Sequence, residues 1–472
     1  MTSRVRFSFG AMLTGAALLH CSTNVVMGTQ TNEDAGQDAA DVPDGDADVT
    51  GDAGATDAAV EDEFDIPDAA VACDAAPCAV AITGSNKFNF MGPPFDHFGS
   101  FCALLADGTV QCWGSNLDRR LGVDLDAGGG GLPMSSSPVR VEGLSDVTSV
   151  DVGGANGCVT IADGGVFCWG APALVGAGVD ADGGPPLFDP MLPTRQDLVP
   201  SAMRVAVGDE TACVTSAAGK MVCWGNNQHQ QLAKPPGEPF VPPAEIPLGD
   251  RPLALAATGV GISFALTNQG ELFSWGSTEC VGFSAQCMHR LGRDSSETID
   301  PFPTLVPDIS GARALALSSS HACAIAGRFV QCWGANRAGE LGRGTTSQIS
   351  ALPAPTLLAE VTDADDVDAG SAPRRDVPLH VAADDGRTCA ATASGRVYCW
   401  GFKGAETTGT PFRVEALSGP AVAVAIVGRT SCALLRSGIV ECWGTNKHGL
   451  LGRGVDDPQL EDPKPGAVRF SQ

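Results

Sequence analysis

The sequence predicts an all-β fold, a seven-bladed β-propeller of four-stranded antiparallel blades, closed by pairing of the N- and C-terminal strands. Three observations carry that expectation. The stretch C-A-L-L-A-D-G-T-V-Q-C-W-G at 102–114 recurs at 158–170, 213–225, 264–276, 323–334, 389–401 and 432–444. The repeat uses every tryptophan in the chain, Trp113, Trp169, Trp224, Trp275, Trp333, Trp400 and Trp443, and each is followed by Gly. These tryptophans lie 56, 55, 51, 58, 67 and 43 residues apart, a period that suits one small antiparallel sheet per unit.

Each repeat reads as a β-hairpin. Asp107 lies midway between Cys102 and Cys112, so a three-residue loop at 106–108 sets the two cysteines opposite each other. Such a loop wants a left-handed third residue, and Gly stands there in six units, as Gly108, Gly164, Gly219, Gly270, Gly395 and Gly438. The fifth unit is one residue shorter. Its two-residue loop, Gly327-Arg328, has the Gly-first signature of a type II′ turn, which keeps Cys323 opposite Cys332.

Opposed cysteines in an antiparallel pair are within disulfide reach. The expected pairs are Cys102 with Cys112, Cys158 with Cys168, Cys213 with Cys223, Cys323 with Cys332, Cys389 with Cys399, and Cys432 with Cys442. In the fourth unit Phe264 and Ser274 replace both partners at once, as a bonded pair predicts. Each small closed loop contributes roughly 2–3 kcal/mol in the chain-entropy model. Cys73 with Cys78 and Cys280 with Cys287 form two further local candidates. Their spacing does not suit zinc, and neither a metal nor a cofactor is expected. Of the 17 cysteines, Cys21 is then left over.

Strand alternation puts Cys102, Leu104, Val110 and Cys112 on one face, with Ala103, Leu105, Gln111 and Trp113 on the other. Both faces are largely apolar, as stacked blades require. A strand ending in Gly precedes each hairpin, as at 147–153 and 422–428, and a proline-led strand follows, as at 138–141 and 411–414. Residues 80–84 have no proline-led strand before them, and 467–470 have no unit after them. Pairing these two strands is the expected closure, because it removes an exposed edge.

The N-terminal region is different in kind. Arg4 and Arg6 precede an apolar run at 7–19, too short for a transmembrane helix and suited to a secretory signal. Cys21 directly after that run resembles a bacterial lipobox. The departure is His20, where such signals usually carry a small residue, and a plain cleaved signal is the alternative. Residues 1–21 are thus expected to be a leader, 22–72 a disordered acidic Asp/Ala/Gly linker, and 73–472 the propeller. The run Asp44-x-Asp46-x-Asp48 lacks the Gly and Glu of an EF-type loop, since Val49 and Ala55 stand there. A net charge of −26 argues against nucleic acid, which needs clustered Lys and Arg.

Turns such as Gly334-Ala335-Asn336-Arg337-Ala338-Gly339-Glu340-Leu341-Gly342 and 444–452, together with His321-Ala322-Cys323-Ala324, resemble the regulator of chromosome condensation repeat. That resemblance covers about 79–472 and implies a seven-bladed propeller. The second and sixth units lack the full Asn-x-x-Gly-x-Leu-Gly turn. The eponymous eukaryotic member is a nucleotide exchange factor for a small nuclear GTPase, an activity not expected of a secreted acidic chain. A secreted bacterial group of the same fold grips β-lactamases through loops on one face.

No phosphate loop, paired metal-binding histidines or nucleophile elbow occurs, and no enzyme is expected. His321 reads as a hydrogen-bonding blade residue rather than a base. The variable loops at 177–193, 234–243, 278–290 and 360–376 are the candidate binding regions. The last carries Asp363, Asp365, Asp366 and Asp368, then Arg374-Arg375. The expected function is a non-enzymatic, surface-tethered scaffold in the bacterial envelope, lipid-anchored or secreted, that binds an extracellular protein or envelope component. A lectin is the second reading and a propeller hydrolase the third. Metabolic labelling with a fatty acid is expected to mark the wild type and not Cys21→Ala; equal labelling of the two would remove the lipid anchor.

Overall fold

A computed structural model describes residues 70–471 except 89–96, 126–132, 175–189, 279–288, 361–375 and a few shorter stretches, together with 20–21 and 24–26. Seven antiparallel blades of four consecutive strands follow one another along the chain, the fifth extended to six strands by 20–21 and 24–26. The first blade comprises Ala79–Phe88, His97–Leu105, Val110–Ser115 and Met134–Arg140. The last comprises Ala421–Val427, Thr430–Leu435, Val440–Thr445 and Glu461–Ala467. In every blade the second and third strands form the hairpin expected from the repeat.

The register is the one that loop length requires. Cys102 faces Cys112, Cys158 faces Cys168, Cys213 faces Cys223, Cys323 faces Cys332, Cys389 faces Cys399, and Cys432 faces Cys442. All six pairs stand at disulfide distance with Cα–Cα separations of 4.0–4.1 Å. Phe264 faces Ser274 in the same place. The six loop glycines have φ between +70° and +83°, and Gly327 in the shortened loop has φ +54°.

These faces pack blade against blade. The cysteine pair of each blade lies in one apolar cluster with the tryptophan of the next, as Cys102 and Cys112 do with Trp169. The same holds for Cys432 and Cys442 with Trp113, across the junction of last and first blades. In the fourth blade Phe264 takes over the volume of a cysteine pair, its ring 6.0 Å from that of Trp333. Ser274 donates to Leu291 O at 2.7 Å and accepts from Arg293 Nε at 3.1 Å, so its hydroxyl is not left unpaired in the core.

The expected closure is not what forms. Ala79–Phe88 pairs with His97–Leu105 of its own blade, and Glu461–Ala467 pairs with Val440–Thr445 of its own. Each proline-led strand therefore belongs outside the hairpin it follows, not inside the next blade. The reason is proline itself. Pro193, Pro303, Pro353, Pro411 and Pro465 offer no amide hydrogen, and an outermost strand is where one is least needed. The ring closes instead by face-to-face packing, in which Trp113, Phe101 and Ile82 meet Val422, Val427 and Leu450. The C-terminal tail adds polar contacts, since Gln111 Nε2 donates to Ser471 O at 2.8 Å and Ser471 N donates to Gln111 Oε1 at 3.1 Å.

The double substitution Phe264→Cys with Ser274→Cys is expected to form a seventh hairpin disulfide. Non-reducing peptide mapping that finds two free thiols there would show that side-chain direction, not only register, differs in the fourth blade.

Candidate functional site

The ring has two unequal faces. One, the hairpin face, carries the loops between second and third strands and the links from blade to blade. The other, the turn face, carries the connections between first and second strands and between third and outermost strands.

The turn face is built on an asparagine. Asn116, Asn227, Asn336 and Asn446 each accept, through Oδ1, the amide five residues on, at 3.0–3.1 Å. Their Nδ2 groups tie the far side of the turn, as Asn446 does to Val455 O at 2.7 Å. The turn so held presents a carbonyl to the neighbouring blade. Trp113 Nε1 donates to Leu450 O, Trp169 to Arg120 O, Trp224 to Leu174 O, Trp275 to Gln231 O, Trp333 to Arg290 O, and Trp400 to Glu340 O, all at 2.7–3.2 Å. Trp443 abuts the sixth blade, where a tight hairpin pairing Lys403 with Glu406 replaces the asparagine turn.

Arginines in these turns brace the face from beneath. Arg120 donates to Phe98 O at 2.6 Å and to Leu117 O at 2.9 Å. Arg290 spans two blades, donating to Ser319 O and Val260 O at 3.0 Å each. Burial lowers both guanidinium pKa values to about 10, which leaves them charged at neutral pH. In a second set, Arg293, Arg343 and Arg453 each follow a Leu-Gly. These reach the third-strand carbonyls of Ser274, Cys332 and Cys442 where the ladder to the outermost strand shifts register. Neither set was singled out in the sequence, although Leu-Gly-Arg recurs at 291–293, 341–343 and 451–453.

One element projects from the turn face. The first blade's inner hairpin runs on past Ser85–Ser100 through Asn86–Gly99, Lys87–Phe98 and Phe88–His97. In the second blade the equivalent pair, Gly153–Asn156, is the last. The root of this projection is clamped, with Arg120 on Phe98 O and the Phe98 ring stacked on His448 at 5.1 Å. The sequence signal was the interval from Gly84 to Cys102, far longer than that from Gly153 to Cys158.

The chain is similar to known proteins in the expected way. The model of the regulator of chromosome condensation repeat matches residues 204–231. The human E3 ubiquitin-protein ligase HERC2 is 27% identical over 269 residues, 55% of this chain and 5% of the ligase. The secretion-regulating guanine nucleotide exchange factor of Bos taurus is 28% identical over 273 residues, 54% of this chain and 57% of its own length. This chain thus spans little more than half of that exchange factor and a small part of the ligase. Among solved structures, human WBSCR16 gives a TM-score of 0.62 at 18% identity, covering 77% of this chain and 94% of that one. Prp20p from Saccharomyces cerevisiae, whose binding properties to Gsp1p and histones are described, gives 0.60 at 17% identity, covering 78% and 87%. The chain carries a match to the regulator of chromosome condensation repeat at 204–231 and shares the propeller fold of these structures.

In this propeller three of the four variable loops, at 177–193, 234–243 and 278–290, join third to outermost strands and so belong to the turn face. The loop at 360–376 links two blades on the hairpin face, so the four do not share one rim. Residues 177–189, 279–288 and 361–375 lie outside the described residues, and with them Cys280, Cys287 and the acidic run. Cys73 and Cys78 stand at disulfide distance on the hairpin face. Cys21 lies in a two-residue strand paired with Asn24–Val26, which adds to the inner edge of Ala312–Leu317 in the fifth blade.

The buried histidines are structural. His321 Nδ1 meets Ser318 Oγ and its Nε2 meets Thr388 Oγ1, both at 2.8 Å. His380 Nδ1 accepts from Val424 N of the next blade at 3.4 Å. Burial lowers both pKa values to about 3, so each stays neutral when folded. In the unfolded chain each takes a proton near pH 6.5, so the unfolded state binds more protons below that pH and stability falls on acidification. Each is expected to cost about 1.4 kcal/mol per pH unit between roughly pH 6 and 3. Denaturant unfolding from pH 7 to 4.5 should show a shallower decline for His321→Gln; an unchanged slope would mean that His321 is protonated in the fold.

Proposed function

We propose that the protein is a non-enzymatic, surface-tethered scaffold whose turn face binds another extracellular protein or an envelope component. One observation carries this reading, the inequality of the two faces. The projecting hairpin and three of the four long insertions belong to the turn face. The chain enters the ring on the opposite face, where Ala72 N donates to Arg436 O at 2.7 Å and Cys78 O accepts from Ala106 N at 2.9 Å. An anchor upstream of residue 70 therefore leaves from the hairpin face, so that the tether does not obstruct the loops of the turn face. In an acylated chain Cys21 would sit at the membrane surface, and the short strands at 20–26 would leave the ring.

The root of the hairpin, clamped at Phe98, loses little freedom on binding, which favours affinity. Six buried cysteine pairs at disulfide distance suit an oxidising compartment. Among the described residues no helix is long and apolar enough to cross a membrane. Kap60 bound to yeast Prp20 shows a propeller of this fold in complex with another protein, and at 17% identity it lends the architecture but not the partner. Guanine nucleotide exchange is not carried over from the bovine relative, and the acidic charge speaks against nucleic acid.

Replacing residues 88–97 by Asn-Gly joins Lys87 to Phe98 through a two-residue turn and keeps the clamp on Phe98. This variant is expected to melt like the wild type and to capture its partner from envelope extracts at least about tenfold less well, a loss of about 1.4 kcal/mol. Undiminished capture, with loss on substituting Lys220 and Arg251 of the hairpin face instead, would overturn the assignment of the face.

A further inference from the structure

We propose that Cys73–Cys78 is a thiol–disulfide exchange site whose reduction by an external dithiol loosens the junction between last and first blades. That junction is the one the chain does not cross. At three of the others, the residue before the inner strand accepts the first amide of its own blade's hairpin loop. Ala162 N donates to Asp146 O, Asn268 N to Pro252 O, and Arg436 N to Pro420 O, at 2.7–2.9 Å. The next residue then donates to the loop glycine of the preceding blade. Val147 N reaches Gly108 O, Leu253 N reaches Gly219 O, and Ala421 N reaches Gly395 O, at 2.8–3.1 Å.

The first blade reproduces both bonds without a covalent link. Ala106 N donates to Cys78 O and Ala79 N donates to Gly438 O, each at 2.9 Å. Cys78 thus holds the position of Asp146, Pro252 and Pro420. It fits there closely, since a Cβ on Gly438 would fall 2.1 Å from Cys78 Sγ. Elsewhere a linker from the preceding blade holds this residue in place. Here the constraint is the six-residue loop that the Cys73–Cys78 bond closes, helped by Ala72 N on Arg436 O and by Val71 packed on the shared core.

Access separates this pair from the rest. The twelve hairpin cysteines are at most 1% exposed, and Cys78 is 4% exposed, but Cys73 is on the surface. Exchange needs a thiolate to reach one sulfur in line with the bond. A thiolate of the dithiol attacks Cys73 Sγ, the S–S bond breaks, and Cys78 leaves as the thiolate. The reductant's second thiol then displaces Cys73 from the mixed disulfide. Two electrons and two protons have passed from the dithiol, which ends as its own disulfide, to the two cysteines.

The full-length protein is treated with dithiothreitol under native conditions, and free thiols in one portion are alkylated and mapped. Labelling confined to Cys73 and Cys78 is expected, with the hairpin pairs intact. In the unalkylated portion the amides of Ala79 and Ala106, bonded across the junction, are expected to exchange hydrogen at least about tenfold faster than before. Cys73→Ser with Cys78→Ser should show the same acceleration without reductant. Labelling of hairpin cysteines at or before Cys73, or wild-type exchange in the double variant, would overturn the proposal.

Discussion

Everything in this ring depends on how one blade grips the next. The grip has two halves. A tryptophan indole reaches back to a carbonyl in the preceding blade's turn, and its ring covers that blade's cysteine pair. The first half is a directional bond between buried partners, costly to leave unmade. The second is close packing of large apolar surfaces, worth on the order of 25 cal/mol per Å² removed from water. Together they set the angle and spacing between blades, and in four of the turns an asparagine holds the accepting carbonyl in place.

The same economy of parts governs the hairpin loops. The glycine of several loops is required twice, first because its φ is positive and again because the neighbouring blade leaves no room for a Cβ. At Gly219 the obstacle is Pro252, at Gly395 it is Pro420, and at Gly438 it is Cys78. The fourth blade shows what the scaffold demands when cysteines are absent. Phe264 supplies the lost volume, and Ser274 is satisfied by Arg293 and Leu291, so that interface keeps its packing without a bond.

The scaffold keeps chemistry out of its interior. His321 and His380 are neutral, enclosed and engaged with neighbouring strands, and the buried arginines of the turns spend their donors on backbone carbonyls. Variation is displaced to the connections, and mostly to one face. The chain enters on the face opposite the braced turns and the projecting hairpin, which leaves the turn face clear of the tether.

Much of this was legible in the sequence because it is local. The eleven residues from Cys102 to Cys112 contain their own loop and register, so pairing, face and turn type follow from spacing alone. The shortened loop at Gly327 and the joint loss at Phe264 and Ser274 obey the same rule. The number of blades follows from counting. What only the tertiary structure decided is how distant pieces meet. A proline-led strand has two possible neighbours, the blade before it and the blade after it, and nothing in its own residues chooses between them. The missing amides of proline make the outer edge the less costly place, a comparison that exists only once blades are assembled. The stacking of Phe98 on His448 and the seat of Cys78 on Gly438 are likewise contacts across the closing junction, between residues separated by hundreds of positions, where spacing along the chain carries no information.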